Sequence, residues 1–133
     1  MELVNHISTD MLRLVRNAQS SVNNTYREIF HASHNSKMQF MLIAIAPNKL
    51  YDYIRDDQPG FMAFTCLYGT ITIRIIETNG KNDTNSCTNV LKAGNILYLP
   101  RRYWRETKAG AEGAVFTESI EGEYDPSKRQ AYD

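Results

Sequence analysis

The stretch Leu67-Tyr-Gly-Thr-Ile-Thr-Ile-Arg-Ile-Ile76 decides the fold. From Ile71 onward, isoleucine alternates with polar residues, which is the two-residue period of a strand with one face on an apolar core. β-Branched side chains favour that half-buried setting. Gly69 interrupts the strand and predicts a bulge or a close approach of another backbone. Asn79-Gly80 then predicts a tight turn, because both residues tolerate positive φ values.

A second ordered stretch, Leu91-Lys-Ala-Gly-Asn-Ile-Leu-Tyr-Leu-Pro100, is bracketed by Gly94 and Pro100. Two strands punctuated in this way predict an all-β fold, namely a small β-barrel or jelly roll. The chain has 133 residues, so one domain with one apolar core is the simplest organisation.

The composition argues against several classes of function. The formal net charge is zero, so the field of the whole molecule favours neither nucleic acid nor an anionic membrane as a partner. No apolar run approaches the about 20 residues that cross a bilayer, and the first residues lack the basic and apolar regions of a signal peptide. Cys66 and Cys87 form no C-x-x-C pair, so we expect two free thiols and a cytoplasmic location.

The N-terminal segment predicts one helix. Ser8-Thr9-Asp10 offers capping side chains, and apolar residues from Met11 to Ala18 follow at helical spacing. We expect the helix to run from about Thr9 to about Ser20 and to lay its apolar stripe on the barrel. Residues 1–36 are thus predicted to form a helix and an extended arm, and residues 37–133 the barrel with a C-terminal tail.

The segment from Phe40 to Ala46 is the most apolar in the chain. Both of its alternating faces are apolar, which predicts a strand that is covered on both sides. The sequence leaves two covers open, the N-terminal segment and a partner subunit.

Several segments in a fixed order carry a resemblance to a known family. They are His31-Ala-Ser-His34 leading into Gln39–Pro47, Tyr53-Ile-Arg55, Gly69, Pro100-x-x-x-Trp104 and Glu118–Pro126. In this order and spacing the chain resembles the cupins and, more narrowly, the WbuC family of cupin-fold proteins from bacterial O-antigen gene clusters. The resemblance covers nearly the whole chain. It implies a single-domain cupin jelly roll with an N-terminal helix, and it makes a homodimer plausible.

The family's metal positions are occupied by other residue types. Cupins of this kind usually bind a divalent metal through a His-x-His pair, a following Glu and a later His. Along the family spacing these positions fall on Arg55, Asp57, Met62 and Arg105. A guanidinium has no lone pair to donate and stays charged, so it would repel a metal ion. The resemblance therefore implies the fold, and we expect neither the family's metal nor another cofactor.

The same positions predict a site for an anion. Arg55 and Asp57 are two residues apart on one strand, so they share a face. Together with Arg105 they would place two cations and one acid inside the barrel, a set that can bind a carboxylate or phosphate through bidentate contacts. The alternative is that Arg55 and Asp57 form an exposed ion pair at the barrel rim.

Four aromatic residues could complete the site. Tyr53, Tyr98, Tyr103 and Trp104 could line a cup that holds a sugar or a flat ring, and a tyrosine could serve as an acid or base. The alternative for each is packing in the core or at the barrel edge.

The remaining candidates also have two interpretations. Glu118 is the late glutamate of the resemblance and is either a second acid in the cup or the partner of an arginine. His31 could act as a general base, while the His31-x-x-His34 pair could instead be structural. Arg74 points to solvent or into the cup, and Arg101-Arg102 is typical of a solvated edge.

The sequence supports three hypotheses of function. The first is a metal-independent enzyme that acts on a small anionic or sugar-like metabolite by isomerase, epimerase or lyase chemistry, in a polysaccharide or secondary-metabolite pathway. The second is a non-catalytic small-molecule-binding or accessory module, and the third is a metal-dependent enzyme with atypical ligands. In the first, the residues assigned to catalysis are Asp57, His31, Tyr53, Tyr103 and Glu118, and those assigned to ligand binding are Arg55, Arg105, Arg74, Met62, Trp104 and Tyr98.

Overall fold

The computed structural model describes residues 10–76 and 86–131. The turn predicted at Asn79-Gly80 and the capping residues Ser8-Thr9 lie outside the described residues. Within them, no helix is long and apolar enough to span a membrane.

In the described part of the chain, an α-helix precedes the strands, as the sequence predicts. Helix α1 spans Met11–Gln19, and the side chain of its N-cap residue, Asp10, accepts a hydrogen bond from the backbone N–H of Arg13 at 3.3 Å. This bond satisfies one of the unpaired N–H groups of the first helical turn. The apolar stripe of the helix, which includes Leu14 and Ala18, is buried against the barrel.

Within residues 10–76 and 86–131, eight strands form the barrel, and every pairing between them is antiparallel. One path of hydrogen-bonded neighbours runs β1-β2-β7-β3-β8, while β4 pairs with β5, β6 and β7. The strands are β1 (Thr25–Ile29), β2 (Met38–Ile45), β3 (Leu50–Asp56), β4 (Phe61–Ile76), β5 (Ser86–Lys92), β6 (Ile96–Pro100), β7 (Trp104–Glu121) and β8 (Arg129–Ala131), with a 3-10 turn at Pro126–Lys128 before the last.

The two longest strands, β4 and β7, pair with each other along most of their length and bend together. Their register shifts between Cys66 and Tyr68 and again between Gly69 and Ile71, which confirms the irregularity expected at Gly69. Gly69 has φ +69, and a Cβ there would collide with the carbonyl oxygen of Gly113 on β7. Only glycine allows this approach of the two backbones at the bend.

Strand β2 explains why both faces of the segment from Phe40 to Ala46 are apolar. Ile43 and Ile45 belong to the barrel core. Leu42 and Ala44 lie on the other face, in a second cluster with the helix. In the chain as described, the helix therefore supplies the cover for this part of β2.

The N-terminal arm contributes a strand to the barrel. β1 pairs with β2 from Thr25 opposite Ile45 to Ile29 opposite Met41. The inner face of β1, which carries Arg27 and Ile29, consequently faces the barrel interior.

Candidate functional site

A cavity of about 170 Å³ lies between the inner faces of the strands. Its apolar floor includes Ile43, Phe64 and Phe116. The lining also carries charged, imidazole and phenol side chains, namely Arg27, Arg105, Arg129, Asp56, Glu118, His31, His34, Tyr51 and Tyr124. Such a mixture of apolar walls and a few converging polar groups is typical of a small-molecule site.

A buried ion pair joins β7 to β3 at this cavity. The Nη2 atom of Arg105 lies 3.7 Å from the Oδ2 atom of Asp56, and the two residues are only 5% and 1% exposed. Burial lowers the pKa of Arg105 from its ordinary value, and the carboxyl groups of Glu118 and Asp56 oppose that shift. A guanidinium nevertheless stays protonated in proteins, so this pair places a fixed positive charge in the barrel.

The hydrogen-bonding capacity of the pair is only partly used. Among the described residues, neither Nη1 of Arg105 nor Oδ1 of Asp56 has a hydrogen-bond partner, although both atoms are buried. Leaving such groups unpaired typically costs about 1–3 kcal/mol each, and more when they are charged. A polar ligand that reached these atoms would remove that cost.

Glu118 stands beside this pair on β7, opposite Met41 of β2. Burial raises the pKa of Glu118, while the nearby guanidinium groups of Arg105 and Arg27 lower it and the carboxylate of Asp56 raises it further. The net shift is upward, so this carboxyl group exchanges its proton closer to neutral pH than an exposed glutamate does. A raised pKa is what general acid–base catalysis near neutrality requires of a carboxyl group.

Two exposed arginines and one tyrosine lie around the same cavity. Arg27 comes from β1 and Arg129 from β8. Tyr51 of β3 has a buried hydroxyl group with no partner among the described residues. Burial raises the pKa of this phenol, and the positive charge of Arg27 lowers it. The lining therefore holds three guanidinium groups but only two carboxyl groups.

The loop between β1 and β2 contributes two histidines to the lining. The Nδ1 atom of His31 lies 3.1 Å from the backbone nitrogen and 3.3 Å from the backbone oxygen of Phe40, so Nδ1 accepts or donates according to the tautomer of the ring. The ring of His34 packs edge-on against Tyr124 with centroids 5.0 Å apart. Gln39, 2% exposed, donates to the backbone carbonyl of Ser36 at 2.8 Å and thereby supports the loop.

The segment after β7, residues 122–131, brings Tyr124 and Arg129 to the cavity, and Arg101 holds it in place. Arg101 is 1% exposed, and its Nη1 atom donates to the carbonyl oxygens of Glu121 at 3.0 Å and Glu123 at 2.9 Å. Its Nη2 atom donates to the side chain of Gln58 at 3.1 Å. The expectation of a solvated edge at Arg101 is therefore wrong.

The prediction that Arg55 and Asp57 face inward is wrong by one residue. Tyr51 pairs with Thr107 and Ile54 pairs with Arg105, so three steps along β3 match two steps along β7. The extra residue is a β-bulge, which exchanges the inner and outer faces of the strand beyond it. Asp56 consequently lines the cavity and Asp57 is exposed.

Arg55 lies on the opposite face of β3. Its guanidinium carbon is 4.9 Å from the ring centroid of Trp104, and its Nε donates to the side chain of Gln130 at 2.7 Å. The hydrogen bond connects β3 to the C-terminal strand β8, and the ring contact connects β3 to β7. Trp104 is buried and does not line the cavity.

The other predicted site residues divide into two groups. Arg105, Glu118 and His31 come together at the cavity. The rest do not line it: Met62 is a core residue, Arg74 is exposed on β4, Tyr98 and Tyr103 border a separate outer cleft, and Tyr53 lies on β3 within the bulge.

Sequence reasoning missed several lining residues, and only some left a signal. The two-residue spacing of Arg27 and Ile29 on β1 could have marked them as one face of a strand. Asp56 could have been found only with the bulge known. Arg129 and Tyr124 belong to a polar segment without periodicity, and nothing in its composition indicates that it returns to the barrel.

The lining does not fit the metal that the resemblance implies. Among the described residues, no three His, Cys, Asp or Glu side chains are grouped so that they could hold a metal ion. The two carboxyl groups of the cavity, Asp56 and Glu118, share it with Arg105, and a fixed cation opposes a second one.

Comparisons with known proteins support the fold. No family model matches the sequence, and no curated protein matches it either. Solved structures do match. An oxalate oxidase aligns over 77% of this chain with a TM-score of 0.63 and 12% sequence identity. A variant of Bacillus subtilis oxalate decarboxylase aligns over 82% of this chain with a TM-score of 0.66 and 13% sequence identity. The cupin domain of Schizosaccharomyces pombe Cnp3 aligns over 75% of this chain with a TM-score of 0.60 and 13% sequence identity.

The chain is shorter than these proteins. It spans 53% of the oxalate oxidase, 28% of the oxalate decarboxylase and 66% of the Cnp3 domain. At such low identity the likeness concerns the fold and not the activity. The arrangement of strands and these neighbours together show that the chain is a cupin-fold protein, a single-domain jelly-roll barrel with an N-terminal helix.

Proposed function

We propose that this protein is a metal-independent cupin that binds a small anionic or sugar-like metabolite in its barrel and moves a proton on it. The observation that carries the proposal is the buried pair of Arg105 and Asp56, each with an unpartnered polar atom, next to a carboxyl group of raised pKa. Strongly perturbed groups in a cavity with specific charge partners are typical of functional sites.

The charge of the cavity favours an anion. Three guanidinium groups face two carboxyl groups, so one positive charge is left over when both acids are ionised. Protonation of Glu118 would leave two. A bound carboxylate or phosphate would compensate this excess, and Arg105 can contact such a group with paired N–H donors. A cavity of about 170 Å³ suits a small metabolite.

Glu118 is the residue that we assign to proton transfer. Its raised pKa brings the exchange of its proton closer to neutral pH than in an exposed glutamate. His31 is a second candidate, since it lines the cavity and its Nδ1 atom contacts the backbone of Phe40, which leaves Nε2 for the ligand. Isomerisation, epimerisation and elimination each need a proton to be removed and returned, and these two groups can serve as such a pair.

The narrower resemblance to WbuC proteins is part of the proposal. His31 and Glu118 belong to the segments that carry it, and both line the cavity. A role in polysaccharide or secondary-metabolite biosynthesis follows from that resemblance. The free thiols of Cys66 and Cys87 agree with the reducing cytoplasm that we propose as its location.

We further propose a homodimer through the outer face of β4 and β6. The rings of Phe61 and Tyr98 stack there with centroids 4.7 Å apart, and Tyr98 and Ile96 are each 66% exposed. Exposed apolar clusters on a sheet often mark interaction surfaces. Monomeric mass in light scattering would contradict this part of the proposal.

Solvent-exchange NMR tests the enzyme proposal. Small hydroxy acids, sugar acids and matched neutral sugars are first ranked by calorimetric binding, and the best ligand is then incubated with the protein in D₂O. We expect acids to bind, neutral sugars to bind at least tenfold more weakly, and the bound acid to gain deuterium at carbon. Glu118→Gln should keep the binding and lose the deuterium incorporation.

The controls separate the three hypotheses. Arg27→Gln should weaken acid binding, whereas Arg74→Gln, an equivalent loss of charge on the outer surface, should not. Binding without deuterium incorporation would favour the non-catalytic module. A stoichiometric transition metal in the purified protein, found by elemental analysis and required for turnover, would favour the metal-dependent alternative.

A further inference from the structure

A second depression lies beside the cavity, between β1 and β3. This outer groove has a volume of about 440 Å³ and is lined by Asn23, Thr25, Arg27, Lys49 and Tyr51. Arg27 and Tyr51 line the inner cavity as well. The two spaces therefore meet at these two side chains, and a ligand held in the barrel could extend into the groove.

Two cations line the groove, Lys49 and the Arg27 that it shares with the cavity. Within the part of the chain that the structure describes, no ion pair connects Arg27 or Lys49 to a carboxylate, and the groove lining contains no acidic residue. The Nζ atom of Lys49 lies 5.2 Å from the ring centroid of Tyr51, in cation–π contact. This contact holds the ammonium group over the junction.

The junction also offers a donor. The hydroxyl group of Tyr51 is buried and lacks a partner among the described residues. A buried hydroxyl group without a hydrogen-bond partner is unfavourable, and a ligand oxygen that accepts its proton would remove this cost. Arg27 acts electrostatically on both Tyr51 and Glu118, so its guanidinium group serves both spaces.

The distance between the two cationic ends follows from the strand register. The backbone N–H of Ala109 donates to the carbonyl of Lys49 at 2.9 Å, and Arg105 lies four residues earlier on β7, which is roughly 13 Å along a strand. Lys49 leans back over Tyr51. The charged ends are therefore separated by on the order of 10 Å.

We propose that the ligand carries two anionic groups, one held in the barrel by Arg105 and one in the outer groove by Arg27 and Lys49. This inference rests on the proposed anion site in the barrel and adds to it the class of ligand. Monoanions would occupy the inner half only.

Calorimetric titration with a length series tests the proposal. The ligands are succinate, adipate and suberate, each compared with its monomethyl ester, which has nearly the same length but one charge fewer. All titrations are made at one ionic strength, because salt screens exposed cations. We expect one of the longer diacids to bind at least tenfold more tightly than its monomethyl ester, and succinate to show little such preference.

Two lysine variants show where the second charge binds. Lys49→Gln should remove the preference for the diacid, while binding of the monomethyl ester changes less than twofold. Lys92→Gln removes the charge of an exposed lysine on β5 that lies outside both spaces, so it should leave both affinities within twofold.

The outcomes distinguish this inference from the function on which it rests. Equal affinity for every diacid and its monomethyl ester, or an equal loss in both lysine variants, would overturn the two-anion ligand and leave the barrel site intact. Failure of any acid or ester to bind would overturn the barrel site and the inference together.

Discussion

Replacing Arg105 with methionine should destabilise the fold strongly, because it leaves a carboxylate buried without its cation. At 3.7 Å and an effective dielectric constant of about 20, the attraction between Arg105 and Asp56 is about 4.5 kcal/mol. Removing one partner of a buried pair typically costs about 3–5 kcal/mol. We expect Arg105→Met to lower the free energy of unfolding by a similar amount at neutral pH.

The double variant Asp56→Asn/Arg105→Met identifies the origin of that loss. It removes both charges, so it should be more stable than the sum of the two single changes predicts, with a coupling free energy of about 2 kcal/mol or more. The measurement is urea denaturation of all four proteins, followed by circular dichroism. Arg74→Met, an exposed control, should change stability by less than about 0.5 kcal/mol.

If the stability changes of the two single variants simply added up in the double variant, the two charges would not interact, and the reasoning would be refuted. A loss of unfolding free energy below about 1 kcal/mol for Arg105→Met would also refute it, because removing so deeply buried a cation should leave an uncompensated charge on its partner. The loss should also grow as pH rises, because the carboxyl groups beside Arg105 are then ionised without compensation.

Three further predictions concern Glu118, the bend and the C-terminal segment. Burial raises the pKa of Glu118, so its ionised form destabilises the fold; Glu118→Gln should be more stable than wild type at about pH 8, and the gain should vanish below about pH 4 in denaturation curves. Gly69→Ala should cost more than about 2 kcal/mol, whereas Gly94→Ala, also at positive φ but with open space around it, should cost about 1 kcal/mol. Arg101→Met should speed tryptic cleavage within residues 122–131, and equal rates in variant and wild type would show that Arg101 does not anchor the segment.

The parts of the fold that sequence could predict are those in which one local pattern decides the structure. Alternating isoleucines after Gly69 predicted a strand with one apolar face, and apolar residues at helical spacing predicted α1. The prediction of two covered faces on β2 is confirmed from Leu42 onward, whereas Phe40 at the start of the predicted segment is 37% exposed.

The site was less predictable, because it depends on pairing between distant segments. Whether Arg55 or Asp56 faces inward is decided by a bulge that only the partner strand reveals. Arg101 shows the same limit in another form. Its burial is compensated by backbone carbonyls of residues 121 and 123, and no local pattern shows that those carbonyls return to it.

The bulge in β3 has a consequence for how such a pocket can change during evolution. Deleting one residue at position 52 or 53 would remove the extra residue and leave Ile54 opposite Arg105, with Asp56 still facing inward. Moving the bulge past Asp56 would instead continue the alternation from Tyr51, turning Arg55 inward and Asp56 outward. The interior would then exchange an acid for a base, a change of two charge units, without any substitution of a pocket-facing residue. The position of one extra residue along a strand can thus reverse the ligand preference of this barrel.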